Sequence, residues 1–191
     1  MNLIFYKYQG TGNDFVLVDN RQEIFDKNNT KLIARLCDRK FGVGADGFIL
    51  LENSEISDFK MVYYNADGKT STMCGNGGRC LVAFAKLLGI ITQNTSFEAI
   101  DGLHEASIEY DIVSLKMIDV EAIDEFEDHI FLDSGSPHHI TFVKNVSDVN
   151  VKITGRKLRY GAPYFEEGSN INFVEQTDTN AFKVRTYERG V

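Results

Sequence analysis

The sequence predicts an α+β protein in which strands outnumber helices. Three observations carry this. Short runs of β-branched and aromatic residues, bounded by Gly, Asn or Asp, recur along the 191 residues. Helical periodicity shows in only three places. One strand-like run also recurs near the end: Phe59-Lys-Met-Val-Tyr-Tyr64-Asn65 aligns with Phe182-Lys-Val-Arg-Thr-Tyr187-Glu188, with Phe, Lys and Tyr at the same offsets. Taken alone, so short a match fits shared β composition as well as it fits a true repeat.

The elements follow in order. Phe15 to Val18 reads as a strand. Lys31 to Asp38 sets Leu32, Ile33 and Leu36 at helical spacing, with Cys37 facing a core. Phe59 to Tyr64 is a second strand. From Gly77 to Leu88, the residues Cys80, Ala83, Phe84, Leu87 and Leu88 fall at i, i+3, i+4, i+7 and i+8, one face of a helix, and Gly89 stands where a C-terminal cap belongs. Around Leu103 to Met117, Ala106, Ile108, Tyr110 and Ile112 alternate with polar residues. Val113, Leu115 and Met117 then continue in the opposite phase, so a hairpin is predicted near Asp111. A weaker helical pattern covers Val146 to Gly155, and Phe182 to Tyr187 is the last strand. No long linker interrupts the chain. The acidic stretch Asp119 to Asp128 is the best candidate for a junction, giving domains 1–118 and 119–191.

Composition narrows the function classes. A hydrophobic content of 43% suits a chain that buries a real core. A net charge of −8 argues against a partner gripped through nucleic-acid phosphates. No apolar run reaches 18 residues, and the opening Met1 to Tyr8 lacks the features of a secretory leader, so neither a membrane span nor export is expected. Three cysteines, without histidines at ligand spacing, suit neither a disulfide framework nor zinc, and a cytoplasmic address follows. No metal and no cofactor is expected, because dinucleotide and phosphate-loop fingerprints are missing.

Of the three cysteines, Cys74 alone is placed for chemistry. It precedes the glycine-rich turn that opens the helix, where unpaired N–H groups and the positive dipole end favour a thiolate. The N–H groups of Gly75 and Asn76 can hold a substrate carboxylate beside it. The plainer reading, an inert buried cysteine, fits most free cysteines.

The whole string Asn65-Ala-Asp-Gly-Lys-Thr-Ser-Thr-Met-Cys74-Gly-Asn-Gly resembles the active-site segment of the diaminopimelate epimerase family. Four further signatures resemble that family in order: Gly10-Thr-Gly-Asn13-Asp14-Phe15, Gly42-Val-Gly-Ala-Asp46-Gly47, Gly135-Ser-Pro-His138 and Tyr187-Glu188-Arg189-Gly190. The resemblance implies two similar lobes, each a strand-rich sheet curled around a central helix, with the active site between them. It implies a cofactor-independent epimerase that interconverts LL- and meso-diaminopimelate, supplying lysine and cell-wall precursors, with a homodimer as the assembly to expect.

On this resemblance Cys74 is one of two acid/base groups at the substrate α-carbon. His138 and Glu188 tune cysteine pKa values, and Asn13, Asn65, Gly75, Asn76, Asn170, Glu188 and Arg189 hold the substrate around one cleft. The residue types suit these tasks: amides donate and accept, Arg forks a carboxylate, and Glu attracts an ammonium. Each asparagine reads equally well as a turn or strand-end residue, His138 as a structural histidine, and Glu188 and Arg189 as an exposed pair. Two departures stand out. Gly47 takes a place where the family often has a side-chain amide, and Ser136 one where many relatives have Asn.

Cys74 follows Asn65 by nine residues, and the same offset from Glu188 falls about six residues past Val191. The resemblance places a second catalytic cysteine and a second central helix there. The second lobe is therefore expected to be incomplete in this chain, which alone should not invert its substrate and should continue for some tens of residues. The readings set against this one are a proline-racemase-like or phenazine-type isomerase, a non-catalytic amino-acid-binding remnant, and a hydrolase using Cys74 with His138.

Overall fold

The computed structural model describes residues 3–189, which fall into two compact units, Met1–Met117 and Ile118–Val191. Gly190, which closes the last signature, lies outside the described residues.

The first unit is a seven-stranded sheet in chain order: β1 (Tyr6–Gly10), β2 (Asn13–Asp19), β3 (Gly47–Glu52), β4 (Phe59–Asn65), β5 (Asn94–Ala99), β6 (Gly102–Glu109) and β7 (Ile112–Leu115). Two neighbouring pairs are parallel, and each needs a crossover. Helix α1 (Thr30–Cys37) joins β2 to β3, and α2 (Gly75–Leu87) joins β4 to β5. The crossovers lie on opposite faces, which explains the unbroken apolar runs of β2 and β3. Phe15, Leu17, Ile49 and Leu51 pack with α2, while Val16, Val18, Phe48 and Leu50 pack with α1, and all eight are fully buried. Cys37 and Cys80 sit in these cores, and burial pushes both thiols up to about 11.

Helix α2 packs against β1, β2, β3, β4, β6 and β7, so the sheet curls around it. This corrects the one-sided face expected from periodicity. Leu81, Val82 and Ala85 are as deeply buried as Phe84, whereas Leu87, assigned to the buried face, is 60% exposed near the helix end. An amphipathic stripe describes a helix lying on a core, and α2 is inside one. Packing is close at Gly78, where an added Cβ would stand 2.7 Å from Met73 Cε and 3.1 Å from Leu115 Cδ2, so both side chains would have to shift. The helix stops as expected: Gly89 takes a left-handed φ of 71°, its N–H reaches Lys86 O, and Ile90 N–H reaches Ala85 O. The hairpin forms between β6 and β7, but Tyr110 and Ile112 at its turn are solvent-exposed, unlike the buried Ala106 and Ile108.

The second unit is a five-stranded sheet ordered β12-β11-β10-β9-β8, from β8 (Ile123–Glu125), β9 (Ile130–Asp133), β10 (Pro137–Phe142), β11 (Asn170–Asp178) and β12 (Ala181–Tyr187). The acidic stretch 119–128 is thus partly structured, since β8 forms within it. The helix expected over Val146 to Gly155 is shifted. A single 3₁₀ turn (Val146–Asp148) comes first, then Asn150 caps Ile153 N–H and starts α3 (Val151–Tyr160). Helix α3 carries the parallel crossover from β10 to β11 and packs on β11 and β12 over Val146, Ile171 and Phe173. A side chain at Gly155 would collide with Tyr187.

Two buried polar groups anchor this unit. Arg159 donates Nε–H to Arg189 O at 2.7 Å and Nη1–H to Phe165 O at 3.0 Å, and its guanidinium fills the space a side chain at Gly168 would need. His139 stacks on His129 with ring centroids 4.1 Å apart. Its ring nitrogens meet the Tyr164 hydroxyl at 2.8 Å and Thr141 Oγ1 at 3.0 Å.

Candidate active site

Cys74 is the N-cap residue of α2, with extended backbone (φ −116°, ψ 115°) and a half-buried side chain. Its carbonyl accepts the first helical bond from Gly78 N–H at 2.8 Å. The N–H groups of Gly75 and Asn76 precede that bond and have no intrahelical acceptor, and no acidic side chain stands in the first turn. A carboxylate therefore finds donors and a favourable dipole beside the sulfur. At Gly75 an added Cβ would meet only ordinary contacts, with Met117 Sδ at 3.5 Å and Arg79 Nη1 at 3.7 Å.

The β1–β2 turn and Asn13 at the start of β2 supply the facing wall. Cys74 Sγ lies 3.7 Å from Asn13 Oδ1, and Asn76 Nδ2 donates to the same oxygen at 3.3 Å. Asn76 Oδ1 in turn accepts from the Arg79 guanidinium and from Thr11 Oγ1. On the other side, Asn13 Nδ2 donates to Asp46 Oδ2 at 2.9 Å. Arg39 holds that carboxylate through Oδ1 at 2.8 Å and also grips Asp14, which Lys7 reaches at 2.8 Å. The Arg39 guanidinium, with Lys7 and the Asp46 backbone, holds the Asp14 carboxyl well below the usual carboxylate range, and the two carboxylates raise Arg39. Sequence reading missed Thr11, Arg39, Asp46 and Arg79 as parts of this wall. The signal available was that Thr11 and Asp46 each sit inside a signature.

Asn65 ends β4, level with Gly47 on β3. Its backbone closes the Ala66-Asp67-Gly68 turn, with Gly68 N–H donating to Asn65 O. Its half-buried side-chain amide makes no hydrogen bond to any described residue. At Gly47 an added Cβ would lie 2.5 Å from Tyr63 Cε2 and 3.1 Å from its hydroxyl, so Tyr63 fills the space of the side chain that Gly47 lacks.

The second unit gathers the remaining residues at the strand ends of β10, β11 and β12. His138 pairs with Asn170 in the β10–β11 register, and Glu188 and Arg189 follow β12 directly. Asn170 is buried. Its Nδ2 lies 3.1 Å from Ser136 Oγ and 3.2 Å from Pro137 O, and its Oδ1 accepts from Arg189 N–H at 2.9 Å. Ser136 is thus engaged with Asn170. Asn172 Nδ2 donates to His138 Nδ1 at 3.1 Å. Burial lowers the His138 pKa, opposed mainly by the charge of exposed Glu188. The structure therefore brings Asn13, Cys74, Gly75 and Asn76 together in one unit, and His138, Asn170, Glu188 and Arg189 in the other.

A family model described as diaminopimelate epimerase matches residues 5–118. The chain is 62% identical over 187 residues to the diaminopimelate epimerase of Flavobacterium psychrophilum, covering 97% of this chain and 73% of that protein. It is 43% identical to the diaminopimelate epimerase of Chlorobaculum tepidum, covering 95% of this chain and 74% of that one. Among solved structures it is similar to a Bacillus anthracis phenazine biosynthesis protein of the PhzF family, with a TM-score of 0.69 at 14% identity over 98% of this chain and 73% of that one. It is also similar to a hydroxyproline epimerase from Agrobacterium vitis, with a TM-score of 0.64 at 12% identity over 96% and 69% of the two chains. At such identities the structures share the fold and no more.

Proposed function

This chain belongs to the diaminopimelate epimerase family, and from that premise we propose that it interconverts LL- and meso-diaminopimelate by proton transfer at the α-carbon. That places it in the supply of lysine and peptidoglycan precursors. The observation that carries the reading is Cys74 at the mouth of α2, facing Asn13 and flanked by first-turn N–H groups.

The Cys74 thiolate takes the α-proton and becomes a thiol. The electron pair stays on the α-carbon and spreads into the carboxylate, which the N–H groups of Gly75 and Asn76 hold. A second acid/base group delivers a proton to the opposite face, and in the reverse direction the two exchange roles. Cys37 and Cys80 do not supply that group, because both are buried with thiols raised to about 11. Oriented donors in place of a cofactor stabilise the developing charge. We read residues 1–118 as the lobe carrying Cys74, Asn13 and Asn65, and 119–191 as the lobe carrying His138, Asn170, Glu188 and Arg189. The Asn65 amide, which makes no hydrogen bond to a described residue, suits a substrate group, and His138 with Glu188 suits pKa tuning.

The test is deuterium incorporation at the α-carbon of diaminopimelate in D2O, followed by NMR for wild type and Cys74→Ser. Loss of the base should slow incorporation about 10²–10⁴-fold. Incorporation within about tenfold of wild type sinks the assignment.

A further inference from the structure

We infer that Asp46 is a positioning residue for Cys74: held by Arg39, it locks the Asn13 side chain so that its amide oxygen faces the sulfur. This rests on the reading of Cys74 as the proton-transfer group and adds what sets its protonation balance.

The orientation follows from charge. A carboxylate only accepts, so the Asn13 group 2.9 Å from Asp46 Oδ2 is its NH2, and the oxygen must point the other way, at Cys74 and Asn76. The opposite end of the chain enforces the same direction independently. A guanidinium only donates, so Arg79 fixes the Asn76 oxygen toward itself and leaves the Asn76 NH2 for Asn13 Oδ1. Two charged ends, Arg39–Asp46 and Arg79, thus polarise one row of amides, and the sulfur faces an acceptor.

An acceptor 3.7 Å from Sγ favours the S–H form, whereas the helix mouth favours the thiolate. A group that removes a proton in one direction and returns it in the other needs both forms accessible near the working pH. The charged groups of this wall are Arg79 on α2, Lys7 on β1, Asp14 on β2, and Arg39 and Asp46 on the segment between α1 and β3. Of these, Asp46 alone touches the Asn13 amide.

In Asp46→Asn the new amide keeps its oxygen toward Arg39 and turns its NH2 toward Asn13. The Asp46 end then pulls the Asn13 amide toward the flipped orientation against the Asn76 NH2, and the flipped fraction presents an NH2 to the sulfur. The readout is the pH profile of Cys74 alkylation by iodoacetamide, resolved by peptide mass from the buried Cys37 and Cys80. The midpoint is expected to fall by about one pH unit in Asp46→Asn, and to fall in Asn13→Ala, which removes the Asn13 acceptor. Arg39→Lys, which keeps a cation on Asp46, should leave it within a few tenths. An unmoved or raised midpoint in Asn13→Ala, or in Asp46→Asn with wild-type near-UV circular dichroism, overturns the proposal. If Asp46→Asn does not fold, Asn13→Ala alone decides. A lowered midpoint combined with normal deuterium incorporation in Cys74→Ser would keep the Asp46 lock and remove the proton-transfer role of Cys74.

Discussion

Strands β1 to β4 of the first unit and β9 to β12 of the second follow one plan. In each, an antiparallel pair leads through a helical crossover to a parallel neighbour, and a further antiparallel strand follows. The register agrees in detail. Phe15 pairs with Gly47 and Gly47 with Asn65, while His138 pairs with Asn170, which stands one step before Ile171 and its partner Tyr187. Asn65 thereby corresponds to Glu188, Asn13 to Ser136, and Gly12 (φ 87°) to Gly135 (φ 97°). Even the helix starts match: Asn29 caps Leu32 N–H and Asn150 caps Ile153 N–H. What differs is burial. Phe59 is fully buried and Phe182, its counterpart, is 52% exposed. Phe59 lies in the core beneath α2, stacked on Phe97, whereas α3 serves the other face of its sheet. The strands share a frame, and the helix laid over them decides what the frame buries.

The largest test of this contrast is the matched pair Phe59→Ala and Phe182→Ala. The first should cost about 3–5 kcal/mol and the second about 0.5 kcal/mol or less, measured by urea denaturation. Comparable costs would mean that Phe182 is covered in solution.

A smaller effect is confined to the second unit. Burial and the neighbouring His129 push His139 down to about 4. The folded pKa lies below the ordinary histidine value, so the unfolded chain binds the proton first as pH falls. Stability is therefore complete above about pH 6.5 and declines toward pH 4, by at most about 3 kcal/mol. Denaturation midpoints at pH 7 and pH 5 should separate in wild type and draw closer in His139→Gln, with His138 supplying part of the remaining difference. Equal separation in both would clear His139 of the effect.

The smallest test returns to the symmetry. Asn29→Ala and Asn150→Ala each remove one capping bond and should cost about 1 kcal/mol apiece. A loss at one position only would show that the matched caps do unequal work.

Local elements were legible in the sequence where local chemistry decides them. The Cys74 turn, the glycine stop after α2 and the strand at Phe59 all appeared where local propensity and periodicity put them. The burial of Leu81, Val82 and Ala85 was not legible, because the stripe in α2 carries no sign that a sheet closes around it. The start of α3 was misplaced because Val146 begins an apolar pattern before Asn150 offers a cap. At the candidate site the sulfur and the amides around it were visible through their signatures. The Arg39–Asp46–Asn13 row was not, since it joins three separated segments through side-chain geometry.

Arg159 and Gly168 also set an order on mutational change. Any side chain at 168 meets the guanidinium, and φ of 65° resists one as well. Shortening Arg159 first would make room, but would leave the carbonyls of Phe165 and Arg189 without their donor. Each single step is unfavourable, so neither position drifts until the other has changed. The backbone of Arg189, one of the residues read as holding substrate, is in this way constrained by a pair of positions that need never touch the substrate.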